Sequence, residues 1–185
     1  MSTPFFEPPL SGSEVEHLLG ALHRQRATFR YKCDGLTDEQ LRYRLASSSL
    51  TLGGLLAHLA LVEEYAVGVK IRGRELSPAW VERLGDHDGG EFLWANDQTS
   101  TTLYALYDDT VRRVRTDIGD VVKNQGLDAP SAVSWSDGTR ASVRRILMDL
   151  LEEYGRHTGH ADLIRESLDG RVGEDPDPDW PDPFA

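Results

Sequence analysis

The chain has 185 residues, one cysteine and a formal charge of −11, because acidic residues outnumber basic ones 31 to 20. This length suits one domain of ordinary size. The negative charge repels phosphate backbones and anionic lipid surfaces, so neither nucleic acid nor a membrane is expected as a partner. A lone cysteine cannot form an intrachain disulfide, which predicts a cytoplasmic protein in a reducing compartment. No signal peptide or membrane span is predicted, since no run of about 18 apolar residues occurs.

The first part of the chain predicts an arm, a long helix and a short helical turn. Residues 1–12 contain three prolines and two adjacent aromatic residues, which indicates an N-terminal arm. Apolar residues then recur at helical spacing over residues 14–32, and Gly35 terminates this helix. Residues 37–40 have the form of a capping box, which predicts a short turn before the next long element.

A second amphipathic helix is predicted over residues 51–68, where leucines and valines repeat at spacings of three and four. Residues 72–96 contain four glycines, a proline and two tryptophans, a composition that predicts a long irregular connection. Trp80 and Trp94 in this connection are candidates for one wall of a substrate pocket. Capping of the bundle end is an equally good interpretation of these two side chains.

The second half of the chain predicts two more long helices. The third covers residues 98–122, and the broken segment after it contains a turn or hairpin tip at residues 134–138. The fourth covers residues 141–168 and has the clearest helical period in the sequence. The acidic, proline-rich tail at residues 171–185 is not expected to form a packed element by itself.

These elements predict an all-α fold, a four-helix bundle with long connecting loops. The bundle spans residues 13–170, and the arm and the tail flank it. No convincing alternation of apolar and polar residues predicts a strand, so a helical bundle is favoured over any sheet architecture.

Three side chains on the predicted helices are candidate metal ligands. His58 shares a face with Leu55 and Val62, so it projects into the bundle. On the last helix His157 lies in the apolar stripe, and Glu153 stands one turn before it on the same face. A buried carboxylate beside two imidazoles requires a compensating cation, and this donor set leaves coordination positions open. A core histidine and an ordinary Glu–His ion pair fit the same spacing, so both interpretations stay open at this point.

Three stretches of the sequence resemble one known family. They are residues 140–170 (RASVRRILMDLLEEYGRHTGHADLIRESLDG), residues 22–41 (LHRQRATFRYKCDGLTDEQL) and residues 48–65 (SSLTLGGLLAHLALVEEY). Together they are similar to the DinB-like superfamily of metal-binding four-helix proteins, and most similar to its actinobacterial branch of mini-circle proteins or mycothiol transferases. The resemblance implies the DinB-like four-helix fold.

The resemblance also implies a ligand set. In this family one histidine from the second helix and a pair of residues four apart on the last helix hold the metal, which corresponds to His58, Glu153 and His157. His160 falls where relatives commonly have a polar residue beside the ligands, and it is also an alternative ligand. Asp149 stands where many relatives have histidine, so the surroundings of the ligands are expected to differ from theirs.

The function implied by the resemblance is that of a metal-dependent thiol S-transferase, with mycothiol as the thiol and a small electrophile as the second substrate. The divalent metal is expected to be zinc, with nickel or iron as alternatives, and to favour the nucleophilic thiolate. No catalytic residue is expected beyond the ligands, and Cys33 is interpreted as a structural thiol. Tyr65 and Tyr154 are further pocket candidates.

Other functions fit the same scaffold. A thiol-dependent isomerase, a metal hydrolase and a non-catalytic metal-binding stress protein are the alternatives. A homodimer is expected from the family alone.

Overall fold

The structure, a computed structural model, describes residues 4–87 and 89–185. Residues 1–3 of the predicted arm and residue 88 of the predicted connection lie outside the described residues. The helices are α1 (Glu14–Cys33), α2 (Asp38–Leu41), α3 (Leu52–Glu63), α4 (Pro78–Leu84), α5 (Gly90–Ala95), α6 (Ser100–Gln125) and α7 (Val143–Asp169). α3 continues directly into a π-helix over Glu64–Ile71. The described residues contain no β-strand, so the all-α prediction is confirmed.

Four long elements form the bundle: α1, α3 with its π-helical continuation, α6 and α7. α1 packs along α7, and α3 packs against both α6 and α7. Each of the four helices begins with a side chain that accepts a hydrogen bond from the backbone of the first turn, which satisfies a donor that the helix itself leaves free. These capping residues are Ser13, Thr51, Thr99 and Ser142.

The connection over residues 72–96 is more regular than its composition predicts. It contains the two short helices α4 and α5. Ser77 caps α4, and Pro78 occupies its first turn, where a missing N–H is tolerated. α5 begins at Gly90, where a Cβ atom would lie 1.8 Å from the carbonyl oxygen of Leu84. Helices of six or seven residues are too short to show a reliable period in sequence, which is why the prediction missed them.

Other predicted boundaries agree with the structure to within a few residues, with one extension. The second long element does not end near Gly68 but continues to Ile71 as a π-helix. In the broken segment before α7, the carbonyl of Trp135 accepts a hydrogen bond from the Gly138 N–H at 2.9 Å, which forms the predicted turn.

One helical stretch, Leu52–Ile71, is long and apolar enough on average to cross a membrane. In the bundle 67% of its most apolar window is buried inside the protein. The stretch also contains Glu63 and Glu64, both buried. Its hydropathy is therefore explained by its place at the centre of the bundle, as in the core helix of a soluble protein.

A buried ion pair joins α1 to α3. The Arg26 guanidinium donates from Nε and Nη2 to the two carboxylate oxygens of Glu63, at 2.5 and 2.7 Å. The side chains of the two residues are 3% and 0% exposed. Tyr154 of α7 donates a third hydrogen bond to Glu63 at 2.8 Å, and its hydroxyl lies 2.9 Å from that of Tyr107 on α6. One polar network thus connects all four long helices.

The network is electrostatically balanced only when both charged partners are present. Burial by itself lowers the pKa of Arg26, but the adjacent Glu63 carboxylate outweighs burial and raises that pKa above its ordinary value. The guanidinium therefore stays charged. Burial also raises the pKa values of Tyr107 and Tyr154, so both phenols remain protonated donors at neutral pH.

Glu63→Gln is expected to lower the free energy of unfolding by about 3–5 kcal/mol, because it leaves the Arg26 charge buried without a counter-charge. Urea denaturation at pH 7 measures this change. Asp109→Asn, which removes the same charge from the exposed Arg112–Asp109 pair, is the matched control and should change stability by about 0.5 kcal/mol or less. Equal stability of Glu63→Gln and Asp109→Asn would contradict the account.

The C-terminal tail, which the sequence does not predict to form a packed element by itself, packs on the bundle. Phe184 is 4% exposed, and its ring lies 6.1 Å from the ring of Tyr107. Tyr31 donates a hydrogen bond to Asp177 at 2.6 Å, and the Trp180 indole N–H donates to Asp34 at 3.2 Å. The aromatic residues within the polar tail anchor it, because each has both an apolar surface and a partner on the bundle.

His23 lies beneath this tail. Its ring packs against Phe5 and Phe184 at centroid distances of 5.7 and 6.0 Å. Its Nδ1 atom is buried and has no hydrogen-bond partner among the described residues. Burial, assisted by the charge of Arg115, lowers the pKa of His23 to about 4.

The low pKa of His23 predicts a specific acid sensitivity. Because the folded-state pKa lies below the ordinary value of 6.5, the stabilisation by neutral His23 is complete above that pH and is lost as the pH falls towards 4. Chemical denaturation at pH 7 and pH 5 should therefore show a smaller loss of stability for His23→Gln than for the wild type. His17→Gln, at an exposed position, should behave like the wild type. Identical pH dependence of the His23→Gln and wild-type proteins would refute this role.

The C-terminal end of α1 is held by an arginine side chain from another helix. Arg165 of α7 is 5% exposed and donates from Nη1 to the backbone carbonyls of Lys32 and Asp34, at 2.9 and 2.8 Å. These carbonyls have no partner within the helix. Arg165 therefore acts as a buried C-terminal cap, and its other contact is an ion pair with Asp169.

Candidate metal centre

The three predicted ligands meet between α3 and α7. One donor atom from each of His58, Glu153 and His157 lies within 4.8 Å of the other two, close enough for the three to hold one metal ion. The rings of His58 and His157 are 4.8 Å apart at an angle of 66°. His157 Nε2 lies 3.3 Å from Glu153 Oε2. α3 supplies the first ligand and α7 the other two, because residues 153 and 157 are one helical turn apart.

A carboxylate orients His58. The Nδ1 atom of His58 lies 2.9 Å from Oε1 of Glu91 on α5, and this hydrogen bond lowers the pKa of Glu91. Phe92 stacks on the imidazole at a centroid distance of 5.1 Å. Because Nδ1 is hydrogen-bonded to a carboxylate, Nε2 is the ring nitrogen available to coordinate a metal ion. This arrangement is common at protein metal sites.

A glycine allows α5 to approach His58 this closely. A Cβ atom at Gly54 would lie 2.7 Å from the ring of Phe92. Gly54 also donates its N–H to the capping side chain of Thr51. The missing side chain at Gly54 therefore leaves a space on the surface of α3, and the Phe92 ring that stacks on His58 fills it.

The other histidine of the pair is held in its neutral form. Burial, together with the neighbouring His58, lowers the pKa of His157 to about 4. His160 lies beside it, with the two Nδ1 atoms 3.2 Å apart. This contact leaves Nε2 of His157 directed towards Glu153, so the structure places His160 next to a ligand and not within the group of three.

Glu153 is less buried than sequence analysis expected. Its side chain is 42% exposed, whereas the side chains of His58 and His157 are 21% and 10% exposed. The carboxylate thus lies at the edge of the site, where solvent reduces the desolvation that sequence reasoning assigned to it. The argument for a metal rests on the convergence of the donors more than on a buried charge.

A cavity of about 600 Å³ opens beside His58 and Glu153. Asp149 lines it and forms an ion pair with Arg145 at 2.6 Å. Tyr65 lines it as well, in the position that the pocket prediction gave it.

The other predicted pocket residues lie elsewhere. The Arg83 guanidinium lies 4.9 Å from the ring centroid of Trp80 and 5.0 Å from that of Trp94, and neither tryptophan lines the cavity beside the candidate ligands. Tyr154 is fully buried, and its hydroxyl belongs to the Glu63 network. Trp80 and Trp94 therefore do not form a wall of this cavity.

Sequence reasoning missed two residues of the site, Glu91 and Lys70, and also Glu63 of the buried network. Glu91 was missed because it lies in a connection whose path the sequence does not reveal. Glu63 was missed because a charged residue on an interior helix face interrupts the apolar pattern, and the pattern does not show which residue of another helix pairs with it. Lys70 of the cavity lies on a π-helical turn, and a helical period of 3.6 residues places it away from His58. The one sequence feature that could have identified Glu63 is that it is a carboxylate within an otherwise apolar helix, which requires a buried partner.

The sequence was compared with models of known protein families. Residues 17–170, most of the chain, match the family described as mycothiol-S-transferase. The chain belongs to the mycothiol-S-transferase family. This confirms the resemblance seen in the three sequence stretches, and a small-molecule thiol is the co-substrate that the family implies.

Comparison with solved structures supports the fold of this family member. One similar chain is described as a conserved protein of a locus from Enterococcus faecalis. The match has a TM-score of 0.66 and 15% sequence identity, and it covers 87% of the present chain and 100% of the other. At this identity the likeness shows the fold alone. No curated protein matches the sequence significantly.

Cys33 of this mycothiol-S-transferase family member lies away from the candidate metal centre. It is fully buried at the end of α1, and burial raises its pKa to about 12. The thiol is therefore protonated and inaccessible at neutral pH, which agrees with its interpretation as a structural residue.

Native protein at pH 8 is expected to resist alkylation of Cys33 by iodoacetamide, because only the thiolate reacts and the folded protein suppresses it. The same protein in 8 M urea should take up one equivalent. Mass spectrometry of the intact chain measures both reactions. Rapid stoichiometric labelling of the native protein would show that Cys33 is accessible and reactive.

Proposed function

We propose that this protein is a metal-dependent S-transferase that joins mycothiol to a small electrophile. His58, Glu153 and His157 would hold the metal, with zinc as the first expectation. The observation that carries the proposal is the convergence of these three donors within 4.8 Å in a chain that belongs to the mycothiol-S-transferase family.

The donor set fits a catalytic divalent ion. Two neutral imidazoles and one carboxylate are the protein ligands of many catalytic zinc sites, in which further positions stay open to small molecules. His157 is kept neutral by its surroundings, as a ligand must be. The cavity adjoins His58 and Glu153, so a substrate would reach the ion from that side.

The main role of the protein's own residues would be to position the metal ion and the two substrates. A divalent ion held here would lower the pKa of a coordinated thiol and so increase the fraction of reactive thiolate. Glu91 and Phe92 fix the His58 ring, and the aliphatic part of the cavity excludes water from the reacting carbon. The thiol sulfur forms the new C–S bond, the leaving group departs with its electron pair, and the thiol proton passes to solvent.

The remaining features of the chain are consistent with this role. Cys33 is unsuited to act as a nucleophile because it is buried and protonated. The proposed compartment is the cytoplasm, where reducing conditions keep low-molecular-weight thiols available. A homodimer stays a prediction.

The proposal is tested by metal content and thiol transfer measured on the same samples. The wild-type protein, loaded with zinc and dialysed, is expected to hold one equivalent by elemental analysis and to consume mycothiol in the presence of monobromobimane. A His58→Ala, His157→Ala double variant should lose both properties. Retention of one equivalent by the double variant would show that the ligand assignment is wrong.

Matched variants separate the ligand role from general effects. A His17→Ala, His87→Ala double variant removes two exposed histidines and should retain both metal and activity. Glu91→Gln should bind zinc roughly ten- to hundredfold more weakly, as expected when the partner of a ligand is lost. Product analysis distinguishes the alternatives: an isomerase returns the thiol intact, a hydrolase does not require it, and a non-catalytic protein binds metal without turnover.

A further inference from the structure

The cavity beside the candidate metal centre runs along two antiparallel segments. One wall comes from α3 and its π-helical continuation, and the other from α7 between Ile146 and Glu153. His58 and Glu153 mark one end. Lys70, twelve residues after His58, also lines the cavity, and the six α-helical residues 58–63 that precede the π-helix span about 9 Å by themselves. The cavity is thus elongated, with the ligands at one end and an ammonium group towards the other.

The π-helix brings Lys70 to this face. In a continuous α-helix, twelve residues would place Lys70 about 120° around the axis from His58. The wider turns over Glu64–Ile71 rotate the chain by a smaller angle per residue, and Lys70 returns to the His58 side. Its Nζ atom lies 5.3 Å from the centroid of the Tyr65 ring, so the side chain leans back along the cavity.

Aliphatic side chains line the middle of the cavity. They include Leu61, Val62, Ala66, Ile146 and Leu150. Such a lining suits an extended hydrocarbon, which gains stability in proportion to the apolar surface that it buries.

The charges around the cavity favour an anion at the Lys70 end. Asp149 is paired with Arg145, whereas Glu153, beside the neutral His157, lies at the other end of the cavity with His58. Glu152, at the rim, is exposed to solvent. Among residues 4–87 and 89–185, no carboxylate lies within ion-pair distance of Lys70, and its ammonium contacts the face of the Tyr65 ring. The ammonium is thus available to a ligand.

We infer that Lys70 determines electrophile specificity and that the preferred electrophile has an aliphatic body ending in a carboxylate or similar anion. This inference rests on the proposed function for its reactive end. The electrophilic carbon would lie near His58 and Glu153, the hydrocarbon between α3 and α7, and the anion at Lys70.

A suitable reactive probe is 8-bromooctanoate, with 8-bromooctanamide as its uncharged equivalent. In the reaction the mycothiol sulfur displaces bromide from the terminal carbon, so that a C–S bond forms as the C–Br bond breaks. Bromide leaves with the bonding electron pair, and the thiol proton passes to solvent. No other reactant is required.

Binding of the unreactive compounds octanoate and octanamide, measured by calorimetry on the zinc-loaded protein without thiol, tests the inference independently of turnover. The wild type should bind octanoate roughly ten- to hundredfold more tightly than octanamide, as expected for a charge-assisted hydrogen bond. Lys70→Met should lose this preference, and Lys70→Arg should retain most of it. Lys123→Met removes an equivalent charge from an exposed position on α6 and should bind like the wild type.

Steady-state kinetics then determine whether the cavity binds the electrophile or mycothiol. With the bromo compounds, Lys70→Met should raise KM for the carboxylate more than for the amide and leave kcat nearly unchanged. Octanoate should compete with the electrophile and not with mycothiol.

Equal binding of octanoate and octanamide by the wild type would overturn the inference, as would competition between octanoate and mycothiol. Discrimination in binding without any thiol transfer would refute the proposed function while leaving the role of Lys70 intact.

Discussion

The pairing of Arg26 with Glu63 is the constraint on which the rest of the structure depends. Two opposite charges are removed from water at the centre of the bundle, and the arrangement is stable only while both remain in place with their hydrogen bonds satisfied. Glu63 lies five residues after His58 on one helix, and its partner Tyr154 directly follows Glu153 on another. The network therefore sets the register between the two helices that supply the candidate ligands.

The candidate metal centre follows from that register and from one short helix outside the four. α5 brings Glu91 and Phe92 against His58, and Gly54 provides the space that this contact needs. The donors are thus oriented before any ion binds, which reduces the reorganisation that binding requires. On the side away from this support the donors adjoin a cavity, where an incoming thiol and an electrophile would meet.

The long helices and the ligand faces were predictable because an amphipathic period that persists over many turns identifies the buried side. His58, Glu153 and His157 were selected in this way, and the family resemblance implied the same three residues. The rest depends on tertiary contacts that leave no local period. The path of the connection decides whether Glu91 reaches His58, the pairing of Arg26 depends on how two helices pack, and the π-helical turns move Lys70 to a new face. The burial of Phe184 was not predictable either, because the composition of a tail rich in aspartate and proline does not show that its aromatic residues will be buried.

The central claim is that two imidazoles and a carboxylate from α3 and α7 hold an ion with room for a thiol. X-ray absorption spectroscopy of the zinc-loaded protein, before and after addition of mycothiol, measures the donor atoms directly. The account predicts two histidine nitrogens and oxygen donors at first, followed by one sulfur at about 2.3 Å when the thiol is added. A spectrum without imidazole scattering, or one that mycothiol leaves unchanged, would contradict it.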